Sequence, residues 1–204
     1  MGLFRHYVRA RLQDCVMGWM EDLRPDALRD VGGRVLEVGF GTGLNLRHYP
    51  PTVESLAALD PLDLGAMDDK VESRMRQVPF PVERFSLRAD GELPFESGSF
   101  DSVVTTWTLC SIPDPQAALR EMRRVLRPGG SYFFVEHGRS DERGVAAWQD
   151  RIDPIWTRIA DGCHINRRHD EAMREAGFEV PVLDRFRYKG PRILAEMYRG
   201  RATV

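Results

Sequence analysis

The first residues with chemistry to offer are three glycines at a spacing of two, Gly39, Gly41 and Gly43, led by Glu37. Lacking a Cβ, such a turn bends tightly and lets the backbone approach a ligand. A dinucleotide fingerprint places its third glycine at position 44, where Leu44 stands, so the pyrophosphate-binding reading fails. Asp60 carries a carboxylate that can accept hydrogen bonds from both hydroxyls of a ribose. Its competing role is that of a turn residue before Pro61. Asp90, within Ala89-Asp90-Gly91, can hold an adenine amino group or sit in a solvated turn.

Four further side chains could act on a second substrate. His137 is read as an acceptor-site imidazole, with a structural hydrogen bond as the alternative. His164 and Arg167 could complete a small cap around it; a surface histidine and a solvated arginine pair, Arg167-Arg168, are the plainer readings. Asp153 either orients a histidine and pins the cap or starts a helix before Pro154. Cys110 and Cys163 read as small buried hydrophobes, and no metal site is assigned to them, since two cysteines alone lack a ligand set. Trp107, Trp148 and Trp156 read as core or as pocket wall.

These residues need elements to bring them together, and the pattern supplies them. Short apolar strands are predicted at 34–38, 55–59, 82–87, 101–107 and 131–136. Helices are expected at 44–49, stopped by Pro50-Pro51, at 63–77, and at 115–126 with Asp114 as N-cap. Later strands are expected near 179–186 and 192–198. Alternating strands and helices imply parallel βαβ units in a doubly wound α/β sheet. Ligands bind such sheets beyond the carboxyl ends of the strands, so 39–43, 60, 89–91, 107–110 and 136–137 should converge. The start of the chain reads as an amphipathic helix, with Phe4, Val8, Leu12, Cys15, Val16 and Trp19 on one stripe.

Composition narrows the function class. A chain of 204 residues with 42% hydrophobic and 29% charged residues suits one soluble domain. A net charge of −2 offers no basic field for nucleic acid, and none is expected as a partner. Three scattered cysteines suggest neither a disulfide framework nor a CxxC pair, so a reducing, cytoplasmic compartment is expected. The amphipathic stripe at residues 3–20 is read as a packed helix or lid, or as a weak membrane-surface contact.

Val35 to Gly43, Leu59-Asp60-Pro61, Phe100 to Val104 and Leu126 to Gly130, in this order and spacing, resemble the motifs of class I S-adenosylmethionine-dependent methyltransferases. The resemblance implies a Rossmann-like sheet of seven strands with the last antiparallel, an N-terminal helix and a small helical cap. It also implies S-adenosylmethionine as cofactor, with contacts expected from Glu37, Gly39, Phe40, Gly41, Gly43, Asp60, Pro61, Ala89, Asp90, Gly91, Thr106, Trp107 and Cys110. A single domain over 1–204 is expected, made of an N-terminal helix (1–30), a cofactor half (34–137) and an acceptor side (138–204). Trp107 to Ile112, Val135-Glu136-His137, Trp148-Gln149, Asp153-Pro154 and Gly162-Cys163-His164 further resemble the alkyl-thiol S-methyltransferases of the methyltransferase-like group. That implies a small thiol acceptor; a lipid headgroup or quinone, or a binding module without catalysis, are the other readings weighed.

Overall fold

The computed structural model describes residues 18–61 and 69–204. The stripe from Phe4 to Val16 and the start of the expected 63–77 helix lie outside them. Among the described residues, seven strands form one sheet in the order β3-β2-β1-β4-β5-β7-β6. In chain order these are β1 (Gly33–Val38), β2 (Val53–Leu59), β3 (Val82–Phe85), β4 (Phe100–Thr106), β5 (Leu126–His137), β6 (Glu179–Arg187) and β7 (Glu196–Thr203). The first five pair in parallel, and β7 runs antiparallel to both its neighbours.

Alternation along the central strands buries both faces of the sheet. Val103, Tyr132 and Phe134 enter one core with Leu119 and Met122, while Val104 and Phe133 enter the other with Leu28, Val35 and Phe40. Successive residues of a strand point to opposite faces, so a run of apolar residues serves a sheet covered on both sides. The helices are α1 (Arg24–Leu28), α2 (Asp69–Arg76), α3 (Pro115–Val125), α4 (Arg143–Ile159) and α5 (His169–Glu175). Asp114 caps α3 as expected, accepting the Ala117 N–H at 2.9 Å. Full burial of Leu119 and Met122 on its inner face contributes roughly 1.5–3 kcal/mol each.

Four local expectations change. The 44–49 segment forms only a 3-10 turn at Leu46–His48, because so few residues before Pro50 cannot repay helix nucleation. β5 begins at Leu126 rather than Ser131, with a register break where Arg127-Pro128-Gly129-Gly130 bulges out of the ladder. The last strand begins at Glu196 instead of near Arg192, since Pro191 opens a turn closed by the Leu194 N–H. Near the N-terminus, Pro25 sits in the first turn of α1, and the described part of the amphipathic segment divides: Trp19 is 80% exposed while Met20 packs against Trp107, Val135 and Met197.

Candidate active site

The sheet order reverses direction between β1 and β4, and there the carboxyl ends of the strands open onto a cavity of about 440 Å³. That volume lies in the range of small-ligand pockets. Glu37, Gly39, Phe40, Gly41, Asp60 and Pro61 line its β1–β2 side, and Ala89, Asp90, Thr106 and Trp107 the other. Gly43, Gly91 and Cys110, also expected at the cofactor, are not among its lining residues. Gly43 faces Leu46 and Phe40 instead, shaping the turn from behind.

The glycine turn is shaped by close approach. Gly39 has φ +80°, and a Cβ there would overlap the Thr108 side chain arriving from the end of β4. Gly41 has φ +55° with open space where a Cβ would stand, so bare backbone faces the cavity. Its N–H donates to Asp60 Oδ2 at 2.9 Å, which ties the turn to the end of β2. From α2, Arg74 donates to the Thr42 carbonyl at 2.6 Å.

Beneath the turn lies a buried polar network. Glu37 accepts hydrogen bonds from Asn45 Nδ2 and from the Tyr49 hydroxyl, both at 2.8 Å. Burial pushes its carboxyl up to about 7. Arg24, buried on α1, donates to Asn45 Oδ1 and to Thr106 Oγ1, and its guanidinium lies 4.9 Å from the centre of the Trp107 ring. Arg24 and Asn45 line the cavity and escaped sequence reading. Asn45 stands two residues past the glycine turn, a position that could have flagged it; Arg24 is one arginine among many. Asp90, expected at an adenine, is held by Arg88 through two hydrogen bonds of 2.9 and 2.7 Å, which keep its carboxyl below the usual range.

The other end of the cavity is set by Glu136. Its fully buried carboxylate accepts the N–H groups of Thr108 and Leu109 at 3.1 and 3.0 Å and that of Cys110 at 3.4 Å. The turn after β4, begun by Trp107 at φ 50°, wraps around this one side chain. Burial raises the Glu136 pKa against those hydrogen bonds. Sequence reading placed Glu136 at the ligand edge without giving it this role.

None of the four expected acceptor residues lines the cavity. His137 ends β5, with Nδ1 buried and without a hydrogen-bond partner among the described residues. Arg167 donates from Nη1 to the carbonyls of Leu109 and Ile112, both at 2.7 Å, so it braces the turn after β4 rather than lying on the surface. Asp153 lies inside α4, not at its start; it accepts from Ile165 N at 2.9 Å and pairs with His164 Nδ1 at 2.7 Å. Trp148 is 55% exposed and belongs to neither core nor pocket wall, whereas Trp107 lines the cavity.

Cys110 and Cys163, far apart in the chain, meet with their sulfurs 3.5 Å apart. The hydrogen bond shared with Cys110 and the neighbouring His137 lower the Cys163 thiol to about 5, while Cys110, beside that sulfur and fully buried, is pushed well up.

Comparison with known proteins matches the family described as methyltransferase domain over residues 36–134. Human thiol S-methyltransferase TMT1A is 36% identical over 149 residues, 71% of this chain and 59% of that protein. The phosphatidylethanolamine N-methyltransferase of Cereibacter sphaeroides is 36% identical over 121 residues, 57% of this chain and 56% of that protein. This chain therefore spans less than two thirds of either relative. Among solved structures, geranyl diphosphate methyltransferase in complex with S-adenosylmethionine superposes with a TM-score of 0.69 at 16% identity, covering 90% of this chain and 84% of that one.

Proposed function

The chain belongs, by its domain and fold, to the class I S-adenosylmethionine-dependent methyltransferases and resembles the thiol S-methyltransferases; from that premise we propose that it methylates a small thiol, hydrosulfide or a short alkyl thiol. One observation carries the choice of acceptor. The likeness to human thiol S-methyltransferase TMT1A, 36% identity over 149 residues, is longer than the family match over residues 36–134, and likeness to two thiol S-methyltransferases supports the choice. Acceptor pockets vary among relatives that share a cofactor half, so likeness outside that half speaks to the acceptor.

The residues present fit S-adenosylmethionine. Bare backbone at Gly41 admits a ligand, Asp60 at the rim offers a ribose acceptor, and Arg24 places positive charge at the wall for a carboxylate. When bound, the cofactor supplies an electrophilic methyl on a sulfonium. The protein's task is then mainly to position and to exclude water, and alignment of two reactants reaches effective molarities of about 10⁵ M or more. Glu136 and Arg167 hold the turn after β4, from its N–H groups and its carbonyls respectively, so Thr108 and Ser111 keep fixed places on the cavity wall.

Purified protein given the cofactor and a panel of thiols is expected to form S-adenosylhomocysteine and the matching thioether. Turnover of some other acceptor with no thiol consumed would end this reading. A lipid-headgroup or quinone acceptor is the second reading. It is favoured by Trp148, Ile155 and Ile159, which stand 55%, 61% and 70% exposed at helical spacing on α4. Flotation with anionic liposomes at low salt tests it, and absence of binding leaves the small-molecule acceptor.

A further inference from the structure

Cys110, His137 and Cys163 come from three separate segments: the turn after β4, the last residue of β5, and the loop after α4. One ligand atom from each lies within 4.8 Å of the other two. Their backbones are tied down independently. The Cys110 N–H is held by Glu136, and the Cys110 carbonyl accepts the His164 N–H at 2.9 Å. The His137 carbonyl accepts from His169 Nε2 at 2.6 Å. Asp161 at φ 55° and Gly162 at φ +81° turn the end of α4 back on itself, and the Cys163 N–H closes on the Ala160 carbonyl at 3.0 Å.

We propose that Cys110, His137 and Cys163 form a three-ligand site for a thiophilic divalent cation of the zinc type, whose open fourth position takes the acceptor thiol as its thiolate. The second half of this statement rests on the thiol reading above; the first does not. Zinc–sulfur bonds of about 2.3 Å at a tetrahedral angle set two sulfurs roughly 3.8 Å apart. The observed 3.5 Å is close to that and far from the ~2.05 Å of a disulfide. Soft sulfur and imidazole donors suit this class of cation better than a hard one. The His137 imidazole has spare ligand capacity, since its buried Nδ1 has no hydrogen-bond partner among the described residues.

Charge and placement agree. Both sulfurs bind as thiolates, so a divalent ion and two thiolates form a neutral group in a half-buried setting. Three protein ligands with a vacant position is the arrangement of catalytic rather than structural zinc. The segments that carry the two sulfurs also line the cavity, through Thr108 and Ser111 on one side and Asp161 on the other. A thiol held at the fourth position would lose its proton to solvent; its sulfur would take the methyl as the methyl–sulfonium bond of S-adenosylmethionine breaks, giving S-adenosylhomocysteine and a neutral thioether that leaves.

The test uses the full chain, reduced and stripped with a chelator, then titrated with Co²⁺. One equivalent per chain with a sulfur-to-cobalt charge-transfer band, abolished by Zn²⁺, is expected. Cys110→Ser and Cys163→Ser should each weaken Co²⁺ binding at least 100-fold while still binding cofactor, and Cys15→Ser should change neither. Absence of the band, or its persistence in the Cys110→Ser/Cys163→Ser double variant, overturns the site. Formation of a Cys110–Cys163 disulfide in air, with no metal bound after reduction, overturns it equally. Adding ethanethiol to the Co²⁺ form should shift the visible bands, and an unchanged spectrum overturns the open position. A shifted spectrum with no thioether formed upholds the site and refutes the thiol methyltransferase reading.

Discussion

The two ends of the molecule's working edge are built differently. The β1–β2 side is made from neighbours in sequence: a glycine turn directly after β1 and an aspartate directly after β2, joined by one hydrogen bond from Gly41 to Asp60. The β4–β5 side is made from strangers: Glu136 shapes a turn 26–28 residues away, Arg167 braces it from 55–58 residues away, and Cys163 reaches Cys110 across 53. A local site can be carried by any sheet of this order. An assembled one depends on the particular packing of α4 and the loop behind it. The difference teaches why cofactor chemistry recurs among relatives while acceptors diverge.

Mutations can break that contrast or sharpen it. The largest effect is expected at Gly39→Val, where a side chain must both take φ +80° and displace Thr108. Cofactor affinity by calorimetry should fall at least ~100-fold, about 2.7 kcal/mol. Next comes Asp153→Ala on the opposite side, which leaves the Ile165 N–H buried without its partner and frees His164. Thermal stability should drop by about 2–3 kcal/mol, with cofactor affinity within threefold of the parent protein. Equal damage to cofactor binding would show that the two ends are one unit.

Asp60→Ala is expected to weaken cofactor binding by about 2 kcal/mol through loss of charge-assisted hydrogen bonds, with melting temperature little changed. Unaltered affinity would remove the ribose role. The last effect is read against pH and concerns Glu37, which keeps its proton up to about 7 in the fold against 4.5 for the ordinary carboxyl. Folding therefore takes up a proton between those values. Its contribution to stability is full below 4.5 and is lost as pH rises through 7. Glu37→Gln should flatten the fall in melting temperature of the cofactor-free protein between about pH 5 and pH 8, and an unchanged pH profile would remove this role.

Most of the sheet was legible because its signals are local. Runs such as Val35 to Val38 and Val103 to Thr106 show strand chemistry directly, and Asp114 before Pro115 announces α3. The failures share a cause. Helix at 44–49 and strand at 192–198 were read from propensity, yet the few residues before Pro50 cannot nucleate a helix, and the turn at Pro191 delays β7 to Glu196. Proline and turn chemistry override weak propensity at both places.

By itself the sequence determined the order of strands and helices, the glycine turn, and the carboxylate that meets it, since each is set by residues a few positions apart. Only the tertiary structure decided that Arg24 reaches under Trp107, that Glu136 gathers three N–H groups, and that His137 meets two cysteines, one from the turn after β4 and one from the loop after α4. Those contacts exist because parallel strands place residues tens of positions apart at one sheet edge, a juxtaposition that no periodicity records.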